Sequence, residues 1–193
     1  MTGRPVAERR PYPRRLALLV VLALAALPAT AACGAPAGPG AAARPAAVAP
    51  PGPASGTAAV PASLAFRGTT LDGAPFDASS MAGRPALLWF WAPWCATCAG
   101  QADSITELKA AYGDRLAILG IAGLGDNAAM HEFVSDLDVD TVPNLDDRAG
   151  DVWRRFGITE QSTFVLIDRR GTVVETRWLD TIDLTAKVKT LVG

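Results

Sequence analysis

Cys95 and Cys98 are separated by two residues in the run Trp89-Phe90-Trp91-Ala92-Pro93-Trp94-Cys95-Ala96-Thr97-Cys98. Thiols at this spacing can exchange disulfides, with a thiolate as the attacking species. The apolar run Ala86–Trp91 ends just before them and a helical pattern begins at them. Cys95 therefore falls at a helix N-terminus, where unpaired N–H groups and the helix dipole favour a thiolate. Cys95 is read as the exposed nucleophile. Cys98, three residues on, is read as the more buried thiol that resolves a mixed disulfide. Pro93 and Trp94 would form an apolar collar at the rim, in contact with substrate.

Other uses of a cysteine pair fit less well. A structural zinc site normally takes four protein ligands, and the chain has no second pair and one histidine, His131. A haem attachment site needs His directly after the second cysteine, where Ala99 stands. A purely structural disulfide closing so small a ring stabilises little. No metal and no cofactor is expected.

The elements that hold the pair follow from hydrophobic periodicity. Leu64–Thr70 reads as a short strand, and Leu71-Asp72-Gly73-Ala74-Pro75 as a turn. Ala86–Trp91 fits a strand buried on both faces. Cys95–Tyr112 reads as a helix ended by Gly113, and Leu116–Ile121 as a second buried strand. Asn127–Leu137 is helical, with Met130, Phe133, Val134 and Leu137 on one face. Asp146-Asp147 begins a short helix carrying Val152, Trp153 and Phe156. Thr163–Ile167 and Thr172–Arg177 form a hairpin about Asp168-Arg169-Arg170-Gly171, and Ile182–Leu191 closes the chain as a helix. This order is α/β, with a parallel first βαβ unit and an antiparallel edge. His131 is read as structural, Trp91, Trp153, Phe156 and Trp178 as core or edge aromatics, and Asp103 as a solvated helix residue.

The first third of the chain is of another kind. Arg9, Arg10, Arg14 and Arg15 precede the apolar stretch Leu16–Leu27, followed by Pro28 and the small residues Ala29–Ala32. That is the layout of a secretory signal over residues 1–32. It is shorter than the about 20 apolar residues that span a membrane. Cys33 follows Thr30-Ala31-Ala32 and precedes Gly34. This resembles a bacterial lipobox, which implies cleavage before Cys33 and a lipid on its sulfur; Thr30 replaces the usual Leu, and the alternative is cleavage nearby by the ordinary signal peptidase, which leaves the protein secreted. Residues 33–62 are mostly Ala, Pro and Gly. They bury too little apolar area to fold and serve as a semi-stiff spacer between a lipid tether and the domain 63–193. The whole chain carries a net charge of −1, and residues 1–32 hold five Arg and one Glu. The remainder is mildly acidic, without the basic stripe a nucleic-acid partner needs.

Trp-Ala-Pro-Trp-Cys-x-x-Cys after a buried strand resembles the thioredoxin superfamily. Gly73-Ala74-Pro75-Phe76-Asp77, Gly83-Arg84-Pro85, Leu87-Leu88-Trp89-Phe90-Trp91 and Thr163-Phe164-Val165-Leu166-Ile167-Asp168 narrow the resemblance. Ser63–Gly193 is similar to the TlpA/ResA/DsbE-type extracytoplasmic thioredoxin-like proteins, including the secreted DsbE-like proteins of actinobacteria. The resemblance implies a central mixed sheet flanked by helices and export across the cytoplasmic membrane. It implies exchange with protein thiols or disulfides as substrates, and a separate, unidentified redox partner that recycles the pair.

Three positions depart from that family. Ser162 stands where the family has a cis-proline. A cis peptide before a non-proline residue costs about 2.5–4 kcal/mol, so the loop Glu160-Gln161-Ser162-Thr163 is expected to be trans, or strained. In the family this loop pairs with substrate backbone and shields the cysteines, which makes Gln161, Ser162 and Thr163 candidate substrate contacts. Gln101 and Trp89 stand where relatives carry acids. These acid-free surroundings lean toward an oxidase. Two other classes remain open. A thiol peroxidase could use Cys95, with Thr97 near but no Arg in the motif. A metallochaperone or interaction module could use the same scaffold without catalysis, although copper carriers space their cysteines one residue wider and add a His.

Overall fold

The computed structural model describes residues 59–193. The expected signal, the lipidation site Cys33 and all but the last four residues of the spacer lie outside them.

The described residues fold into seven strands and four α-helices. β1 (Arg67–Thr69) and β2 (Pro75–Asp77) form a small antiparallel hairpin. The central sheet contains β3 (Ala86–Trp91), β4 (Ala117–Ala122), β5 (Asn144–Asp146), β6 (Thr163–Ile167) and β7 (Val173–Trp178), in the order β5-β4-β3-β6-β7. β3, β4 and β5 are parallel, whereas β6 is antiparallel to β3 and β7 to β6. The helices are α1 (Ala96–Tyr112), α2 (Asn127–Asp136), α3 (Asp151–Arg155) and α4 (Thr181–Val192).

Strand alternation divides β3 between two cores. Leu87, Trp89 and Trp91 pack with Ile105 and Leu108 of α1, Met130 and Phe133 of α2, and Leu184 and Val188 of α4. Ala86, Leu88 and Phe90 face the other way, onto Leu64, Phe66, Met81 and the α3 residues Val152 and Trp153. Every residue of β3 is buried. A strand covered on both faces and paired on both edges is a rigid base for the loop that leaves its end.

Besides β2, whose Pro75 was read as the end of a turn, two elements differ from the sequence reading. The expected strand Leu64–Thr70 is a 3-10 turn over Ala62–Leu64 followed by the three residues of β1. The Leu64 and Ala65 N–H groups bond back to the Pro61 and Ala62 carbonyls at 2.9 and 3.3 Å, which takes them out of any strand ladder. The second difference is β5. Asp146 belongs to this edge strand, and Asp147 alone heads α3. The Asp147 carboxylate accepts from the N–H groups of Asp151 (2.9 Å), Val152 (3.2 Å) and Trp153 (2.9 Å).

Candidate active site

The C-terminal end of β3 runs into Ala92-Pro93-Trp94, and the Cys95 N–H returns to the Ala92 carbonyl at 3.1 Å. Cys95 is the N-cap of α1 in extended backbone, and its Sγ accepts from the Cys98 N–H at 3.0 Å. Serine or aspartate usually fills this position; here a sulfur takes the N–H of the first turn. Both cysteines are free thiols. Cys98 is fully buried, and burial first, then the neighbouring Cys95 thiol, pushes its own thiol up to about 11, against opposing hydrogen bonds from Ser162 and the Ala92 N–H.

Cys95 was expected to be exposed, and here the structure corrects the reading. Its residue is only 5% exposed. The cover is the loop before β6, where Ser162 Oγ lies 3.1 Å from Cys95 Sγ and 3.1 Å from Cys98 Sγ. Residues 96 and 97, between the cysteines, are exposed, so the order holds: Cys95 is at the rim and Cys98 beneath it.

The expectation for Ser162 was a trans or a strained peptide, and both features are present. No peptide in the described residues is cis, and Ser162 has φ +62°. A left-handed backbone at a non-glycine residue costs on the order of 1–3 kcal/mol unless its surroundings hold it. A buried polar chain holds it. Trp89 Nε1 donates to Gln101 Oε1 at 2.9 Å, and Gln101 Nε2 donates to the Ser162 carbonyl at 3.3 Å. An indole N–H can only donate and a backbone carbonyl can only accept, so one orientation of the Gln101 amide satisfies both. Neither Trp89 nor Gln101 was a candidate site residue on sequence grounds. Gln101 was legible in principle: it lies three residues after Cys98, on the same face of α1.

The other candidates divide clearly. Thr163 is buried and donates to the Glu160 carbonyl at 3.1 Å, Gln161 is half-buried, and Pro93 is half-buried beside Gly125. Trp94 is 60% exposed, with Nε1 donating to the Leu124 carbonyl at 2.6 Å. Leu124, itself exposed, was not anticipated. Trp91 is core: its Nε1 donates to Asn144 Oδ1 at 3.1 Å and its ring stacks on Phe133 at 4.4 Å. His131 contacts the Leu71 carbonyl at 3.1 Å, and Asp103 is solvated. Among the described residues no three His, Cys, Asp or Glu side chains converge on a point.

β3, β4 and β7 run in one direction, so their C-terminal ends share one edge of the sheet. That edge carries the exposed apolar residues Trp94, Leu124 and Trp178, with Ile182 in the first turn of α4. Trp178 pairs with Thr163, the residue after Ser162.

A mixed five-stranded sheet between helices, with a CxxC pair at the head of the helix after its central strand, is the thioredoxin-like fold and its site. The family model for Redoxin matches residues 54–190, and the chain belongs to that family. It is 42% identical over 109 residues to soluble secreted antigen MPT53 of Mycobacterium tuberculosis, a stretch covering 56% of this chain and 62% of that protein. The structure of MTB DsbF superposes with TM-score 0.64 at 40% identity, over 68% of this chain and 98% of DsbF. A secreted Mycobacterium tuberculosis disulfide oxidoreductase homologous to E. coli DsbE superposes with TM-score 0.61 at 38% identity, over 67% of this chain and 98% of the other.

Proposed function

We propose that the protein is an extracytoplasmic thiol–disulfide oxidoreductase that exchanges disulfides with protein cysteines through Cys95 and Cys98. The observation that carries this is the Cys98 N–H directed at Cys95 Sγ at 3.0 Å. It stabilises charge on the sulfur nearer the surface and leaves the second sulfur one helical turn away to resolve the mixed disulfide. The names of MPT53 as a secreted antigen and of the DsbE homologue as a secreted disulfide oxidoreductase support the same reading.

The apolar edge supports a polypeptide substrate. Trp94, Leu124, Trp178 and Ile182 together offer more apolar surface than a small disulfide would cover. Pro93, Trp94, Gln161 and Thr163 are the substrate contacts in this reading. The neutral pair Trp89–Gln101 beneath the cysteines supports oxidation as the working direction, since no buried carboxylate is there to take a proton from Cys98. A potential near about −120 mV is then expected, rather than the about −270 mV of a reductase. An unidentified redox partner recycles the pair.

For the first third of the chain, the proposal is a signal over residues 1–32, a lipid on Cys33, and a spacer over 33–62 carrying the domain 63–193 outside the cytoplasmic membrane. Release of the protein into the medium by Cys33→Ala, with retention of the wild type in the membrane fraction, is the expected result. Among the described residues no helix is long and apolar enough to cross a membrane.

The decisive experiment is turnover of a protein disulfide substrate by the wild type, Cys95→Ser and Cys98→Ser. Cys95→Ser is expected to abolish turnover, and Cys98→Ser to accumulate a mixed disulfide at Cys95. Equal rates for the wild type and Cys95→Ser would overturn the reading.

A further inference from the structure

Ser162 Oγ is 3.1 Å from each sulfur, in a position where the hydroxyl can reach either by rotation about one bond. A hydroxyl has one proton to donate and two lone pairs. It can donate to one sulfur while accepting from the other.

Fixed backbone donors serve the two sulfurs separately, and the Ala92 N–H hydrogen-bonds Cys98. The Cys98 N–H points at Cys95 Sγ, so the amide of the first helical turn supports charge on Cys95 and not on Cys98. Cys98 is fully buried. Yet exchange requires a thiolate at Cys98 in both directions. When a substrate thiolate attacks the Cys95–Cys98 disulfide at Cys95, a bond forms between the substrate sulfur and Cys95 Sγ. The Cys95–Cys98 bond breaks, and its electron pair stays on Cys98 Sγ. In the reverse direction the Cys98 thiolate attacks Cys95 and expels the substrate thiolate. One thiolate enters and one leaves, so the step needs no external acid or base. What it gains from is a donor that can follow the charge from one sulfur to the other.

We propose that the Ser162 hydroxyl is that donor, a catalytic group that hydrogen-bonds Cys95 when Cys95 carries the thiolate and Cys98 when the charge has passed there. This rests on the exchange reading above. The rest of the loop is arranged to present it. Gln101 Nε2 holds the Ser162 carbonyl, and the residue keeps φ +62° with its hydroxyl in reach of both sulfurs. No charged side chain competes for the role. In the elements around the pair, Asp126 caps α2 through the Ala129 N–H, Asp103 is on the solvated face of α1, and Glu160 is exposed. A proline at this position has no side-chain donor, so the device belongs to this chain's serine.

Ser162→Gly and Ser162→Ala test it. Both remove the hydroxyl, while glycine also accommodates the positive φ without strain. Hydrogen bonds to the thiols favour the reduced form and are lost in the disulfide. Both variants should therefore shift the equilibrium with glutathione about tenfold toward the disulfide, equivalent to about 30 mV more negative. Both should also slow the opening of the Cys95–Cys98 disulfide by a small-molecule thiol about tenfold. A wild-type equilibrium and opening rate in Ser162→Gly would overturn the proposal, and so would an effect in Ser162→Ala that is absent in Ser162→Gly, which would be backbone strain. These measurements need no protein substrate. Failure of the turnover experiment above would therefore count against the exchange reading and leave the Ser162 result to be judged separately.

Discussion

The Trp89 indole N–H donates to Gln101 Oε1 at 2.9 Å, inside the core and across 12 positions of sequence. This contact connects the rigid central strand to the helix that carries the cysteines. Removing the donor with Trp89→Phe leaves a buried carbonyl unpaired, at a cost of about 1–3 kcal/mol, and adds a cavity. The amide is also freed to turn, which releases the Ser162 carbonyl. Urea unfolding of Trp89→Phe, Gln101→Leu and the double variant should give non-additive losses, the double costing less than the sum. Additive losses would show that the two side chains do not act as a pair.

The buried Cys98 thiol, held up to about 11 mainly by desolvation, makes the reduced protein sensitive to alkali. Its folded value is above the ordinary 9.0, so the unfolded chain loses that proton first as pH rises. By linkage, stability is fully present below about pH 9 and declines as pH rises through 9 toward 11. The disulfide form has no such proton. Thermal unfolding of reduced and oxidised protein across this range should therefore diverge, and the Cys98→Ser protein should lose the decline that the reduced wild type shows.

Gly125 lies against the turn that leads into the cysteines. A Cβ there would sit 2.4 Å from Pro93 Cγ and 2.8 Å from Pro93 Cδ. A proline ring cannot swing aside as a flexible side chain can. Gly125→Ala should cost about 1–3 kcal/mol through overpacking and displace Pro93 and the Cys95 cap. The check is a slower reaction of Cys95 with a thiol reagent in a protein that is still folded.

Trp94 tests the surface rather than the core. At 60% exposure, its replacement by Ala should change stability by about 1 kcal/mol or less, the scale of its single hydrogen bond to the Leu124 carbonyl. Turnover of a protein disulfide should lose affinity, read as a raised KM. Reaction with a small disulfide should be unchanged, because the small molecule does not reach the apolar edge. Equal loss on both substrates would assign Trp94 to the geometry of the cysteines instead.

Much of this was legible in the sequence. The apolar run Ala86–Trp91 read as a buried strand because no polar residue interrupts it, and a strand covered on both faces needs none. Cys95 at a helix start followed from that strand and from the periodicity behind it. Other features were not legible. Asn144–Asp146 is too short to show a strand period, and it pairs only because β4 presents an edge. Leu64 gave no sign of a 3-10 turn, since its apolar side chain suits a strand equally well.

By itself the sequence determined the order of the main elements, the CxxC pair and the place of Cys95 at a helix start. Those depend on residue type and near spacing, which a chain carries before it folds. Only the tertiary structure decided what covers Cys95, which way the Gln101 amide faces, and that one hydroxyl touches both sulfurs. Each of these joins residues 60 or more positions apart. Such contacts are set by how β3, α1 and the loop before β6 close on one another, and nothing in local spacing encodes them.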